Sequence, residues 1–186
     1  VYELNNRQDT INVLGMGNLL RADEGLGVVA VQRLGERYAL PPNVHLIDGG
    51  TLGLDLICYF EDAARVLILD AVLTEGGAGT LLRLADHEVP SFFGMRTSPH
   101  ECALPDLVAL TELRGTRPDE LVVLGLQPET IELHWGLSPA VEAHLDELLV
   151  AAVQQLRTWG VAVREKTEEE RAAEQALLEE MGVINA

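Results

Sequence analysis

Only two cysteines occur in the 186 residues, Cys58 and Cys102, too far apart for a CxxC and too few for a disulfide framework. A chain of this length forms a core without such staples, so two free thiols in a reducing compartment are expected. No apolar run approaches the ~18 residues a membrane span needs. The amino end is polar (Glu3, Asn5, Asn6, Arg7, Gln8) and lacks the basic-then-apolar order of a signal peptide. The expectation is a cytoplasmic protein with no membrane insertion. Basic residues are scarce too. The count is 13 Lys and Arg against 30 Asp and Glu, a net charge of −17. Phosphate backbones are held by clustered cations, so nucleic acid is not an expected partner. From Val161 onward, seven acidic and three basic residues carry −4, leaving −13 on the remainder. The acidity belongs to the body of the protein and not only to its tail.

Several catalytic signatures are also missing. Residues 11–27, INVLGMGNLLRADEGLG, read as a buried strand, a turn at Gly15 and Gly17, and a helix opening near Asp23 and Glu24. A dinucleotide fingerprint requires a third glycine where Leu20 stands, and there is no Gly-Lys-Ser/Thr for a P-loop. Two carboxylates at this mouth repel pyrophosphate and suit a cation. There is no HExxH and no GxSxG, so zincin and serine-hydrolase chemistry are not signalled.

Farther along, residues 24–39 place Gly27, Ala30, Val31, Leu34 and Tyr38 on one helical face. VHLID (44–48) predicts a second strand, followed by a GGTLG turn and a short apolar helix over 54–59. RVLILDA (65–71) is the strongest strand signal, a continuous apolar run suited to a sheet covered on both faces. TLLRL (80–84) predicts a fourth strand, and 87–99 reads as irregular. A helix over 104–113, a fifth strand at 121–127 and a helix from Ser138 to about Trp159 follow. This order predicts an α/β fold, a three-layer α/β/α domain around a mostly parallel five-stranded sheet, spanning residues 1–160. Residues 161–186 read as a charged helical tail, peripheral to that domain.

Glu24 follows the first strand and Asp70 ends the third, strands that commonly neighbour each other at the switch point of such sheets. His100, on the long connection after the fourth strand and stiffened by Pro99, is the third candidate. Two carboxylates and one imidazole make a three-ligand set with an open position, suited to zinc, nickel, cobalt or manganese. Simpler roles remain open for each. Asp23 and Glu24 also fit anions at a helix amino end, and Asp48 fits an Asx turn as well as a place behind the ligands. Any one histidine is more often structural, although His45, His87, His134 and His144 lack the loop setting of His100. Asp70 is harder to explain structurally, because a carboxylate closing Val66-Leu67-Ile68-Leu69 is costly unless solvated or paired. Cys102, two residues from His100, reads as a small buried thiol, since no second base is placed near it in sequence.

GMGNLLRADEGLG, LIDGGTLGLDL, VLILDAV, SPHECALPDLVAL and LGLQPETIELHWGLSPAV, in this order, resemble the hydrogenase maturation endopeptidases, which trim the large subunit of nickel-iron hydrogenases. The resemblance covers about residues 11–158. It implies a metal site of Glu24, Asp70 and His100, behind which the strand-end Asp48 and the adjacent Asp23 are expected from their places in the sequence. It further implies removal of a carboxyl-terminal extension from the large-subunit precursor after nickel insertion, the nickel being carried by the precursor. Another divalent ion is an expected stand-in in vitro, and a monomer is the expected state. The alternative is a non-enzymatic nickel-binding accessory protein using the same ligands. Such a carrier usually needs a closed ligand set or a His-rich tract, and neither is present.

Overall fold

The structure, a computed structural model, describes residues 7–94 and 103–180. Its strands are β1 (Ile11–Met16), β2 (Tyr38–Ala39), β3 (Val44–Gly50), β4 (Arg65–Ala71), β5 (Leu81–Ala85), β6 (Glu120–Leu126) and β7 (Arg164–Glu165). Its helices are α1 (Leu26–Arg37), α2 (Ile57–Glu61), α3 (Glu88–Gly94), α4 (Ala103–Arg114), α5 (Pro139–Glu142), α6 (Leu145–Thr158) and α7 (Glu168–Glu180). Five strands form one sheet in the order β3-β1-β4-β6-β5, parallel except for β5. The expected three-layer architecture is therefore present. The chain leaves β1 for β3 on one side and returns to β4 on the other, which opens a crevice at the carboxyl ends of β1 and β4.

Side-chain alternation explains the layers. Val13, Leu67, Leu69, Val122 and Leu124 meet Leu26 and Leu34 of α1 and Leu148 and Leu156 of α6. The intervening Leu14, Val66, Ile68, Leu121 and Val123 meet Phe60 of α2 and Leu107 of α4 on the opposite face. All four apolar residues of β4 from Val66 to Leu69 are wholly buried, as its continuous apolar run predicts. At the amino edge, Arg65 bonds Glu120 (2.8 Å), which also accepts from the Trp159 indole (2.9 Å). The Arg65 hydrogen bond is the main cause holding the Glu120 carboxyl below its ordinary range.

Two local readings change. Within the stretch read as irregular, 88–94 is helical, and Glu88 reaches back to accept from the Ala85 N–H (2.9 Å). The single helix expected from Ser138 to Trp159 is two, α5 and α6, with a break at Ala143 and His144. Ser138 does cap the first, accepting from the Val141 N–H (3.3 Å).

Packing continues past residue 160. Val161 and Val163 are 7% and 8% exposed and join the α1/α6 core, while β7 pairs with β2. Lys166 donates from its backbone to Arg37 O (2.8 Å) and from its ammonium to Gly35 O (2.6 Å). By contrast, α7 buries no residue. Its first turn is held locally by reciprocal Thr167 and Glu170 hydrogen bonds and by Arg164. Ending the chain after Thr167 is therefore expected to leave Tm within about 2 °C. Ending it after Gly160 exposes the core that two valines cover, about 3 kcal/mol, or roughly 6–12 °C in Tm. Thermal denaturation of the two truncations checks this, and equal melting temperatures would refute it.

Candidate active site

The site is built by close backbone approach. After β1 the chain turns through Gly17 into a 3-10 turn, Ala22–Gly25, and then enters α1. Gly17 has φ +124°, and a Cβ there would lie 1.7 Å from the Glu24 carbonyl oxygen. A Cβ on Gly27 would lie 2.0 Å from Leu69 O and 2.5 Å from both Met16 N and Met16 O. Only glycine lets α1 sit directly on the ends of β1 and β4. The spacing that failed as a phosphate cradle thus serves to press the Glu24 turn against β4, the strand that carries Asp70.

Glu24 has a side chain only 13% exposed. Its Oε2 is buried with no hydrogen-bond partner among the described residues. Arg21 Nε lies 3.2 Å away, forming an ion pair, but that N–H is donated to the Ile131 carbonyl (3.2 Å). The carboxylate is thereby charge-balanced yet keeps a lone pair unused, an arrangement that costs stability unless a cation takes it up. Asp70 stands one residue beyond Leu69, which is in register with Gly15, and pairs with Gly125 of β6. Its Oδ1 accepts from the Ala71 N–H (2.8 Å). His100 and Cys102 lie outside the described residues. Among the described residues no cluster of three or more His, Cys, Asp or Glu side chains is disposed to hold a metal ion. Two carboxylates on adjoining elements are what the described residues bring to this edge.

The neighbouring Asp23 does something different. It is fully buried, and its Oδ2 accepts from the Glu129 N–H (2.9 Å), the Thr130 N–H (3.1 Å) and the Ser138 hydroxyl (2.9 Å). Its Oδ1 accepts from the Ser138 N–H (2.6 Å). One side chain thus fastens both ends of the 129–138 loop to the turn that carries Glu24. Backbone bonds complete the seam: Ala22 N–H to His134 O (2.7 Å), His134 N–H to Leu20 O (3.1 Å) and Asp23 N–H to Thr130 O (3.2 Å). Ala22 holds a left-handed φ of 47° within it.

Gln127, Pro128 and Glu129, just after β6, belong to the same framework. Gln127 accepts through its side chain from the Thr74 N–H, and its backbone exchanges bonds with the 79–80 turn (Gly79 N–H to Gln127 O, 2.8 Å; Gln127 N–H to Thr80 O, 2.9 Å). Pro128 is buried, and Glu129 lends its N–H to Asp23. Asp48 is exposed and accepts from the Gly50 N–H (3.0 Å), the Asx-turn geometry. His144 packs against Gly79, where a Cβ would lie 2.2 Å from its ring, and pairs with Glu147 (3.3 Å). Cys58 is an exposed free thiol on α2.

Comparison with known proteins places the chain in a family. The HycI family of hydrogenase maturation proteases matches residues 28–155, a span that includes Asp70 and His100 and begins just after Glu24. The chain is 41% identical to the hydrogenase expression/formation protein HupD of Rhodobacter capsulatus over 159 residues, 84% of this chain and 76% of that one. It is 40% identical to the hydrogenase 2 maturation protease of Escherichia coli over 152 residues, 81% of this chain and 93% of the relative. Among solved structures, the hydrogenase maturating endopeptidase HybD of Escherichia coli superposes with a TM-score of 0.81 at 37% identity, covering 84% of this chain and 98% of that one. No helix among the described residues is long and apolar enough to cross a membrane.

Proposed function

The chain belongs to the hydrogenase maturation protease family, and from that membership we propose that it cleaves a carboxyl-terminal extension from a nickel-iron hydrogenase large-subunit precursor after nickel has been inserted. It is an endopeptidase, so the non-enzymatic carrier reading falls away. Glu24, Asp70 and His100 contact the nickel that the precursor's own thiolates hold. Water adds across the scissile C–N bond, leaving a carboxylate on the mature subunit and an amine on the released peptide.

The observation that carries this reading is the buried Glu24 Oε2, on a turn packed against β4 at the sheet's carboxyl edge and without a hydrogen-bond partner among the described residues. Two hard oxygens and one nitrogen bind a free divalent ion weakly, because tight sites use more ligands or softer ones. A nickel ion already held by thiolates needs few further contacts, and its charge near the peptide carbonyl polarises the bond to be broken. The acidic crevice favours that cationic centre over an empty thiolate cluster. Selectivity for loaded precursor then follows from ligand number and charge.

Incubation of the purified enzyme with nickel-loaded and nickel-free precursor, followed by mass measurement, tests this. The expected result is cleavage of the loaded form only, unaffected by prior dialysis of the enzyme against chelator. Stoichiometric tightly held metal in the free enzyme, with activity lost on chelation and restored by zinc, would instead establish a conventional metallopeptidase.

A further inference from the structure

We infer that the loops at the carboxyl edge of the sheet form a docking surface, centred on Leu133 and Trp135, for an apolar segment of the precursor bordered by Lys or Arg. The inference rests on the proteolytic reading above for the identity of the partner. Its first support is where apolar surface is exposed. Of the eleven large apolar side chains exposed among the described residues, seven stand on the loops and turns that follow the strands at this one edge: Leu20 after β1, Leu52 and Leu54 after β3, Leu73 after β4, and Ile131, Leu133 and Trp135 after β6. Leu133 and Trp135 are 86% and 70% exposed. Exposed apolar residues scattered singly need no explanation, but a concentration on one rim marks an interaction surface.

The second support is how these residues are held. The 129–138 loop is not kept in place by burying its apolar side chains; it is fastened through polar bonds, to Asp23 at both ends and to Leu20 and Ala22 in the middle. The isolated bridge pairs Arg21 with His134 in parallel, so alternation sets Leu133 and Trp135 on the face opposite His134 and brings Leu20 beside them. The rim is therefore displayed in a fixed form, which lowers the ordering cost of binding. Beyond Trp135 it continues into a groove of about 300 Å³ along α1, where Leu19, Val29 and Leu137 are joined by Arg33, Glu36 and Glu142.

Continuity with the cleavage site and charge identify the occupant. Arg21 joins the two directly, since its Nε lies 3.2 Å from Glu24 Oε2 and donates to Ile131 O at 3.2 Å. The rim is thus continuous with the turn that carries Glu24. The 127–138 segment carries Glu129 and Glu132, both exposed, and no Lys or Arg. An apolar segment with basic flanks is complementary to it, and a second copy of this chain, at −17, is not.

The test measures binding of nickel-free precursor, which separates docking from cleavage, for the wild type and for Leu133→Ser, Trp135→Ser and Glu129→Lys/Glu132→Lys. Both serine variants replace exposed side chains on a loop anchored elsewhere, so Tm is expected to stay within about 2 °C. The expected result is wild-type binding weakened about tenfold or more by each serine variant. The double lysine variant weakens it about fivefold at low salt, and less as salt rises. On loaded precursor the serine variants raise KM with kcat within about twofold. Unchanged affinity in folded serine variants, or no wild-type binding while loaded precursor is still cut, overturns the docking surface. Self-association of the enzyme that Trp135→Ser abolishes, with precursor affinity unchanged, overturns it in favour of a second copy. Binding with the expected losses but no cleavage of loaded precursor leaves docking standing and refutes the proteolytic reading.

Discussion

Glu24→Gln and Asp70→Asn are each expected to lower the rate of precursor cleavage by about a thousandfold or more, roughly 4 kcal/mol of lost transition-state stabilisation, while leaving the fold intact. Both substitutions keep shape and remove charge. An amide oxygen is a weaker, neutral partner for a cation, and losing one of three contacts leaves too few to orient the metal and the peptide beside it. The structural cost is small in both cases. Asn retains an acceptor for the Ala71 N–H. Gln gives up an ion pair with an Arg21 whose side chain is one-third exposed, worth under about 1 kcal/mol. His100→Ala is expected to match them, whereas Cys102→Ser retains a substantial fraction of activity. Single-turnover cleavage of nickel-loaded precursor followed by mass measurement distinguishes these outcomes. A folded Glu24→Gln enzyme of wild-type rate would remove this residue from the site, and an inactive but folded Cys102→Ser would point to the thiol as nucleophile.

What was legible in the chain is what local pattern encodes. The five strands follow from apolar runs and alternation, and Asp70 draws notice because a carboxylate ends four wholly buried apolar residues. The helix α1 shows its buried face in the spacing of Gly27, Ala30, Val31 and Leu34, although Tyr38 belongs to a short strand and not to the helix. What was not legible is long-range. The partners of Asp23 lie 106 to 115 residues away, and three of its four bonds come from backbone N–H groups, which leave no trace in residue type. Val161 and Val163 form an alternating pair too short to stand out from a charged tail, and only the pairing of β7 with β2 gives them a core to enter. Helix α3 is masked by Pro90, which sits in the first turn where proline is tolerated.

The second large effect is expected on stability. Asp23→Ala should cost about 3–5 kcal/mol, because it leaves the amides of Glu129, Thr130 and Ser138 and the Ser138 hydroxyl without the acceptor around which they are arranged. At roughly 2–4 °C of Tm per kcal/mol for a chain of this size, the melting temperature falls by about 6–20 °C. Asp23→Asn is expected to fall short of rescue. Both carboxylate oxygens face donors, three on Oδ2 and one on Oδ1, so either orientation of an amide turns its NH2 group towards an N–H. A merely local helix-end role predicts a different result, since an anion stabilising the first turn contributes only about 0.3–1 kcal/mol and Asn caps nearly as well as Asp. Amide exchange separates the two. If Asp23 fastens the loop, protection is lost at Glu129, Thr130 and Ser138 in the variant before it is lost in β4, whose hydrogen bonds lie within the sheet. Cleavage should fail along with that loop, because the turn bearing Glu24 and the rim bearing Trp135 are held to each other through this one carboxylate and the backbone seam beside it. An Asp23→Ala protein that melts within about 2 °C of the wild type, with exchange at 129–138 unchanged, would show that the seam alone carries the loop.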